Sequence, residues 1–228
     1  MYKVLVILSN GYDQKWLSKY GDKFLWEHYI EHSGTDTVAV LANRTNFGFW
    51  EKYIAEKKPE KAFSVFVEPH EKEEDFVNLG IFNRISYVLQ TFSYRSPMYV
   101  ITPIMWFEKP DFLKEMWESP SLAIKRMFCD NDFSVELSLS NKIKRFVISS
   151  GFSWKIVGVF SAPQNILNYL GEIKFKTVEE AIVFLANRKN VIFHPVKVRG
   201  KISYTVPEEK GNPIFSFFKE YACFKKIK

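Results

Sequence analysis

The sequence predicts an α/β protein: a three-layer, mostly parallel sheet with helices on both faces, plus a small antiparallel accessory hairpin region. Three observations predict it. Short, wholly apolar runs suit strands buried on both faces. Amphipathic stretches with helical spacing separate those runs. From Phe133 onward the pattern changes to strict alternation, the signature of half-buried antiparallel strands.

Val4-Leu5-Val6-Ile7-Leu8 is the first buried strand. After a polar loop, Phe24 to Ile30 has helical spacing. Thr37 to Leu41 is the second strand, and Phe49 to Ile54 begins a second helix. Phe63 to Val67 is a third strand. From Asn78 to Phe92, Leu79, Phe82, Ile85, Leu89 and Phe92 fall on one helical face. Met98 to Ile101 is the fourth strand, and Pro110 to Trp117 a helix with proline in its first turn. These β-α units recur at roughly 30 residues, as parallel crossovers require.

The second half reads as a hairpin, Phe133–Leu139 and Lys142–Ile148, with Asn141 near its turn. Trp154 to Phe160 is a further strand. Helices follow at Pro163–Leu170 and Val178–Asn187, the second with Thr177 as N-cap and Glu180 in the capping-box position. Strands near Val191–Val196 and Lys201–Thr205 precede a last helix near Pro213–Cys223. No repeat or linker interrupts the chain, so residues 1–228 read as one domain, with 1–120 and 121–228 as its halves.

With 228 residues, 46% hydrophobic and 25% charged, the chain has a globular composition. Cys129 and Cys223 form no disulfide framework and no metal-ligand spacing, which fits reduced thiols in a cytoplasmic protein. No apolar run reaches the ~20 residues that cross a bilayer, and Val4–Leu8 is too short for a signal peptide. A net charge of +6 and 17% aromatics are the raw material of a nucleic-acid groove. Yet the basic residues are scattered and many aromatics lie in apolar stripes. Nucleic acid is therefore a poor partner, and core packing explains the rings.

Few residues stand out as chemistry. Ser9-Asn10-Gly11 follows the first strand, where a loop presents backbone N–H groups to a phosphate or forms an ordinary turn. One glycine makes neither a dinucleotide fingerprint nor a P-loop. Lys23 is placed to hold a phosphate as a point charge, or to sit solvated. Asp130-Asn131-Asp132 either shares a divalent cation with a nucleotide diphosphate or forms a loop ahead of the hairpin. His28 and His32 are spaced for a metal on a helix but have no evident third ligand. No Gly-x-Ser-x-Gly elbow supports a hydrolase.

In order, these segments resemble the nucleotidyltransferase superfamily that activates sugar phosphates, with molybdenum-cofactor guanylyltransferases as a close branch. The carrying segments are Val4–Leu8, Ser9-Asn10-Gly11, Lys15, Gly21-Asp22-Lys23-Phe24-Leu25, Asn78-Leu79-Gly80-Ile81 and Met98–Phe107. Val135-Glu136 through Phe146, Gly158-Val159-Phe160 through Leu170, and Ser203 through Glu209 continue the pattern. The resemblance implies a glycosyltransferase-A type fold, the nucleotide-diphospho-sugar transferase-like one, with 1–120 binding the nucleotide and 121–228 the acceptor. It implies Ser9, Asn10, Gly11, Leu79 and Gly80 as nucleotide-binding residues and Lys15 and Lys23 as catalytic ones.

The implied partners are a nucleoside triphosphate or nucleotide sugar and a phosphorylated small molecule, with no membrane. The implied cofactor is Mg²⁺, which neutralises the triphosphate and the leaving pyrophosphate. Here the sequence departs from the family. Its metal carboxylates are replaced by Ile104 and by Ser203 or Tyr204, and its loop arginine is at best Lys15. Asp130 and Asp132 are the carboxylates left to replace the metal site. Three further readings follow: a relative that binds or regulates without catalysis, a glycosyltransferase using Asp130 and Asp132, and a nucleic-acid-binding protein.

Overall fold

The computed structural model describes residues 1–9, 19–42, 44–67, 81–171, 175 and 177–203. In chain order its elements begin with β1 (Lys3–Leu8), a small hairpin of β2 (Lys19–Tyr20) and β3 (Lys23–Phe24), and α1 (Leu25–Ser33). Next come β4 (Thr37–Ala42), α2 (Arg44–Lys57), β5 (Ala62–Val67), α3 (Ile81–Phe92), β6 (Met98–Pro103) and β7 (Trp106–Phe107). A 3₁₀ helix, Pro110–Trp117, leads to two long strands, β8 (Ser121–Leu137) and β9 (Ile143–Pro163). α4 (Gln164–Leu167), α5 (Val178–Arg188), β10 (His194–Lys197) and β11 (Ile202–Ser203) complete the described chain.

The main sheet has seven strands in the order β10-β8-β9-β6-β1-β4-β5. β5, β4, β1 and β6 are mutually parallel, β9 runs antiparallel to both β6 and β8, and β10 is parallel to β8. Strands from both halves of the chain thus share one sheet.

Alternation along β1 shows why the run is apolar throughout. Val4, Val6 and Leu8 face α3 and α5, against Ile85, Leu89 and Ile182. Leu5 and Ile7 face α1, α2 and the 3₁₀ helix, against Trp26, Trp50 and Leu113. A strand buried on both faces gains about 1.5–3 kcal/mol from each such side chain, with no polar position to spare. The aromatic excess goes to the same layers: Trp26 and Trp50 are fully buried with ring centroids 4.6 Å apart.

Most predicted elements appear within a few residues of their expected bounds. Thr177 caps α5, its side chain accepting from the Glu180 N–H at 3.2 Å. The segment at Pro110 winds as a tighter 3₁₀ helix, pinned where Trp117 donates to the Ser33 carbonyl at 2.5 Å. The Pro163–Leu170 helix is divided into α4 and a 3₁₀ turn, Asn168–Leu170. The loop before α1 contains the β2–β3 hairpin, turned at Gly21 with φ 65°. The expected last helix, Pro213–Cys223, and the start of the helix at Asn78 lie outside the described residues.

The main correction concerns Asp130-Asn131-Asp132, which forms no loop ahead of a hairpin but a bulge inside β8. The strands expected at 142–148 and 154–160 are likewise one strand, β9. Beyond Ile124 and Ile156 the described residues of β8 and β9 pair with each other, then fold back. Ser134 pairs with both Val147 and Lys155, and Val135 with both Phe146 and Trp154. Left-handed backbone at Asn131 (φ 63°) and at Gly151 (φ 97°) makes the corner. Asn tolerates that conformation better than most residues, so a turn-forming triplet here bends a strand instead of ending it.

Candidate functional site

After β5 the chain returns across the sheet to β6 on the far side of β1. This reversal opens a crevice at the carboxyl ends of β1 and β6, where Leu8 lies opposite Pro103. Open α/β sheets bind their ligands in that place.

Ser9 stands at the floor of the crevice and is fully buried. Its N–H continues the ladder to the Leu41 carbonyl at 3.0 Å. The Asn46 amide donates to the Ser9 carbonyl at 3.1 Å and to its hydroxyl at 2.9 Å. Trp50 Nε1 donates to the same hydroxyl at 3.3 Å. The Ser9 side chain is therefore turned inward to α2. Asn10, Gly11, Lys15, Leu79 and Gly80 lie outside the described residues.

Lys23 stands on β3 and pairs with Glu31 of α1 at 2.6 Å. Hydrogen bonding to Glu31 holds its ammonium above the ordinary lysine range. A phosphate would have to compete with Glu31 for it. His28 and His32 part company: one contacts the Tyr20 carbonyl at 3.2 Å, the other Asp111 at 2.8 Å.

The chain leaving β6 is held by α1. The Met105 N–H donates to the hydroxyl of buried Tyr29 at 2.7 Å. Ile104 is 8% exposed and packs in the core. Ser203 on β11 pairs with Trp106 on β7. Glu108 fixes that pair, its N–H donating to the Lys201 carbonyl at 3.0 Å and its carboxylate accepting the Lys201 N–H at 2.6 Å. Lys125 donates to the Gly200 carbonyl beside it. The two positions where the resemblance expects carboxylates thus carry a hydrocarbon and a hydroxyl. Among the described residues no three His, Cys, Asp or Glu side chains are grouped to hold a metal ion. The donor set described does not fit Mg²⁺.

A pocket of about 290 Å³ lies between the folded ribbon and the N-terminus of α5. Asp132, Lys155, Thr177 and Glu179 give it polar groups, and Phe133 and Ile156 give it apolar wall. Lys155 donates to Asp132 Oδ1 at 2.7 Å, and Asp132 Oδ2 accepts the Asp130 N–H at 3.0 Å. Asp132 is thus half of an ion pair, while Asp130 is exposed. The two carboxylates do not converge as a free ligand pair. Burial pushes Glu179 above the usual carboxylate range, against the hydrogen bonds from its own N–H and Thr177.

Gly158 connects pocket and crevice. Its φ is 73°, and a Cβ there would stand 3.3 Å from Glu179 Oε1 and 3.6 Å from Pro103 Cγ. The absent side chain lets the pocket wall meet the end of β6.

Lys155, Glu179 and Asn46 were not candidates from the sequence. Lys155 and Asp132 are 23 residues apart, and Asn46 and Ser9 are 37. No local spacing signals either contact. Thr177 was visible only as a helix cap.

The fold is a mostly parallel α/β architecture like that of solved nucleotidyltransferase structures, which are nucleotide-diphospho-sugar transferase-like. The CTP:phosphocholine cytidylyltransferase of Streptococcus pneumoniae is similar, with TM-score 0.66 and 12% identity over 100% of this chain and 99% of that one. The UTP-bound UGPase of Acinetobacter baumannii has TM-score 0.63 and 11% identity, over 89% and 88%. The inositol-1-phosphate CTP transferase of T. maritima has TM-score 0.60 and 13% identity, over 96% of each chain. No protein-family model and no curated protein matches the sequence. No helix among the described residues is long and apolar enough to cross a membrane.

Proposed function

We propose that this protein binds a nucleotide in the crevice at the ends of β1 and β6, and a phosphorylated, hydroxyl-bearing small molecule in the adjoining pocket. The observation that carries this reading is Gly158, where pocket wall, Glu179 and the end of β6 meet. Two ligands placed so would face each other across that point.

The pocket's chemistry orients the second ligand. Its described lining has two carboxylates and one lysine, and that lysine is already paired. A dianionic phosphate gains little there, whereas hydroxyl groups find acceptors in Asp132 and Glu179 and donors in Lys155 and Thr177. The phosphate then points to the crevice. Two of the similar structures fit such a pairing: a CTP-dependent enzyme for phosphocholine and another for inositol 1-phosphate. Fold alone does not transfer their reactions.

Ile104 favours a second reading, a relative that binds without catalysis. An isoleucine cannot ligate a cation, so the described residues support no transfer step through Mg²⁺. The glycosyltransferase reading needs Asp132 to exchange Lys155 for a metal.

Calorimetric titration with CTP, UTP, GTP, ATP and nucleotide sugars, with and without Mg²⁺, tests the binding. Heat with a nucleoside triphosphate is expected. No heat with any of them sinks the proposal, and binding of nucleotide sugars alone favours the glycosyltransferase. Pyrophosphate release with a sugar phosphate present separates an enzyme from a binding relative.

A further inference from the structure

We infer that Asn46 and Trp50 are positioning residues for the nucleotide, acting through Ser9. That role rests on the crevice being the nucleotide site proposed above.

α2 starts directly after β4, at the same end of the sheet as the crevice. Asn46 and Trp50 are four residues apart, so they share one face of the helix, one turn apart. Both are fully buried. Their side chains converge on one residue, Ser9, and between them supply three contacts to its carbonyl and hydroxyl. With the Leu41 carbonyl taking the Ser9 N–H, every polar atom of Ser9 is held by β4 or α2.

Such a network is costly to place in a core. Buried polar groups gain little net stability over a well-packed apolar contact and lose much if one partner fails. What the network does is fix one residue at the end of a central strand. Ser9 follows β1 at the floor of the crevice, so its pose helps set the shape of that floor. A floor held before the ligand arrives has less to lose in ordering when it binds.

The test uses the full chain and the nucleoside triphosphate that wild type binds among CTP, UTP, GTP and ATP. Asn46→Leu removes two donations while keeping the side chain's bulk. Trp50→Phe removes one and keeps an aromatic ring. Leu185→Ala, in the core of α5 away from the crevice, serves as a variant that loses stability alone. Asn46→Leu is expected to weaken nucleotide binding about tenfold and Trp50→Phe about threefold, from the usual worth of a hydrogen bond. Leu185→Ala should lower Tm and leave Kd unchanged. Variants at 46 and 50 that lose Tm but bind like wild type overturn the inference. Should Asn46→Leu not fold, Trp50→Phe decides alone. Wild type binding no triphosphate is a different failure, of the nucleotide reading itself, and shows before any variant is made.

Discussion

Lys155 donates to Asp132 at 2.7 Å across the folded ribbon, with 15% and 30% of the two side chains exposed. The pair ties the second half of β9 to the corner of β8. Of the Asp-x-Asp triplet, one carboxylate pairs with a lysine and the other faces solvent in this structure.

Breaking that pair from one side leaves a partly buried charge without its partner. Asp132→Asn or Lys155→Met alone is expected to cost about 1–2 kcal/mol, less than for a fully buried pair because water still reaches both groups. The double variant should recover part of the loss. Denaturant unfolding of the four proteins gives the coupling, and strictly additive losses would refute it.

Gly158→Ala meets two penalties. Left-handed backbone at φ 73° costs an L-residue roughly 1–2 kcal/mol, and the methyl would press on Glu179 and Pro103. Gly34 has nearly the same backbone, φ 66°, with open space around it. Gly34→Ala therefore reports the backbone penalty alone. Gly158→Ala should lower Tm further than Gly34→Ala, and adding Glu179→Ala should narrow the gap. Equal losses at the two glycines would show that the pocket wall tolerates a side chain.

Glu179 carries a pH signature. Its carboxyl is raised in the folded protein, chiefly by burial. The folded state therefore holds the proton more tightly than the unfolded one, whose Glu titrates near 4.3. This favours folding below the unfolded value and fades as pH rises through the folded one. Glu179→Gln keeps a neutral group throughout. The variant should match wild type at acid pH and gain on it as pH rises toward neutral. Denaturation midpoints against pH check the sign, and a gap that is widest in acid would contradict it.

Two buried tyrosines should respond in opposite directions. Among the described residues the Tyr99 hydroxyl has no hydrogen-bond partner, while the Tyr29 hydroxyl accepts the Met105 N–H. Tyr99→Phe removes an unsatisfied polar group and is expected to stabilise by about 1 kcal/mol. Tyr29→Phe orphans a buried N–H and is expected to destabilise by about 1–2 kcal/mol. Thermal unfolding of both variants distinguishes them.

Side-chain pattern was enough to set the layers. Unbroken apolar runs at Val4–Leu8 and Val38–Leu41 suit strands covered on both faces, and Leu79-to-Phe92 spacing suits a helix. Those are local properties, set by side-chain periodicity within a few residues. The alternation after Phe133 likewise announced antiparallel strands. It could not show that they extend back to Ser121 and fold over at Asn131. Asp, Asn and Gly favour turns and strand corners alike, and only the register with β9 tells them apart.

The site exists only in the packed chain. Ser9 meets Asn46 and Trp50 because β1 and β4 are neighbours in the sheet. Lys155 meets Asp132 because the ribbon folds back, and Glu179 joins them because α5 packs against β9. Each contact joins residues from different elements, 23 to 41 positions apart where hydrogen bonds link them. Local propensity carries no information about such distances. The packing of elements sets them, and the packing depends on every apolar face at once.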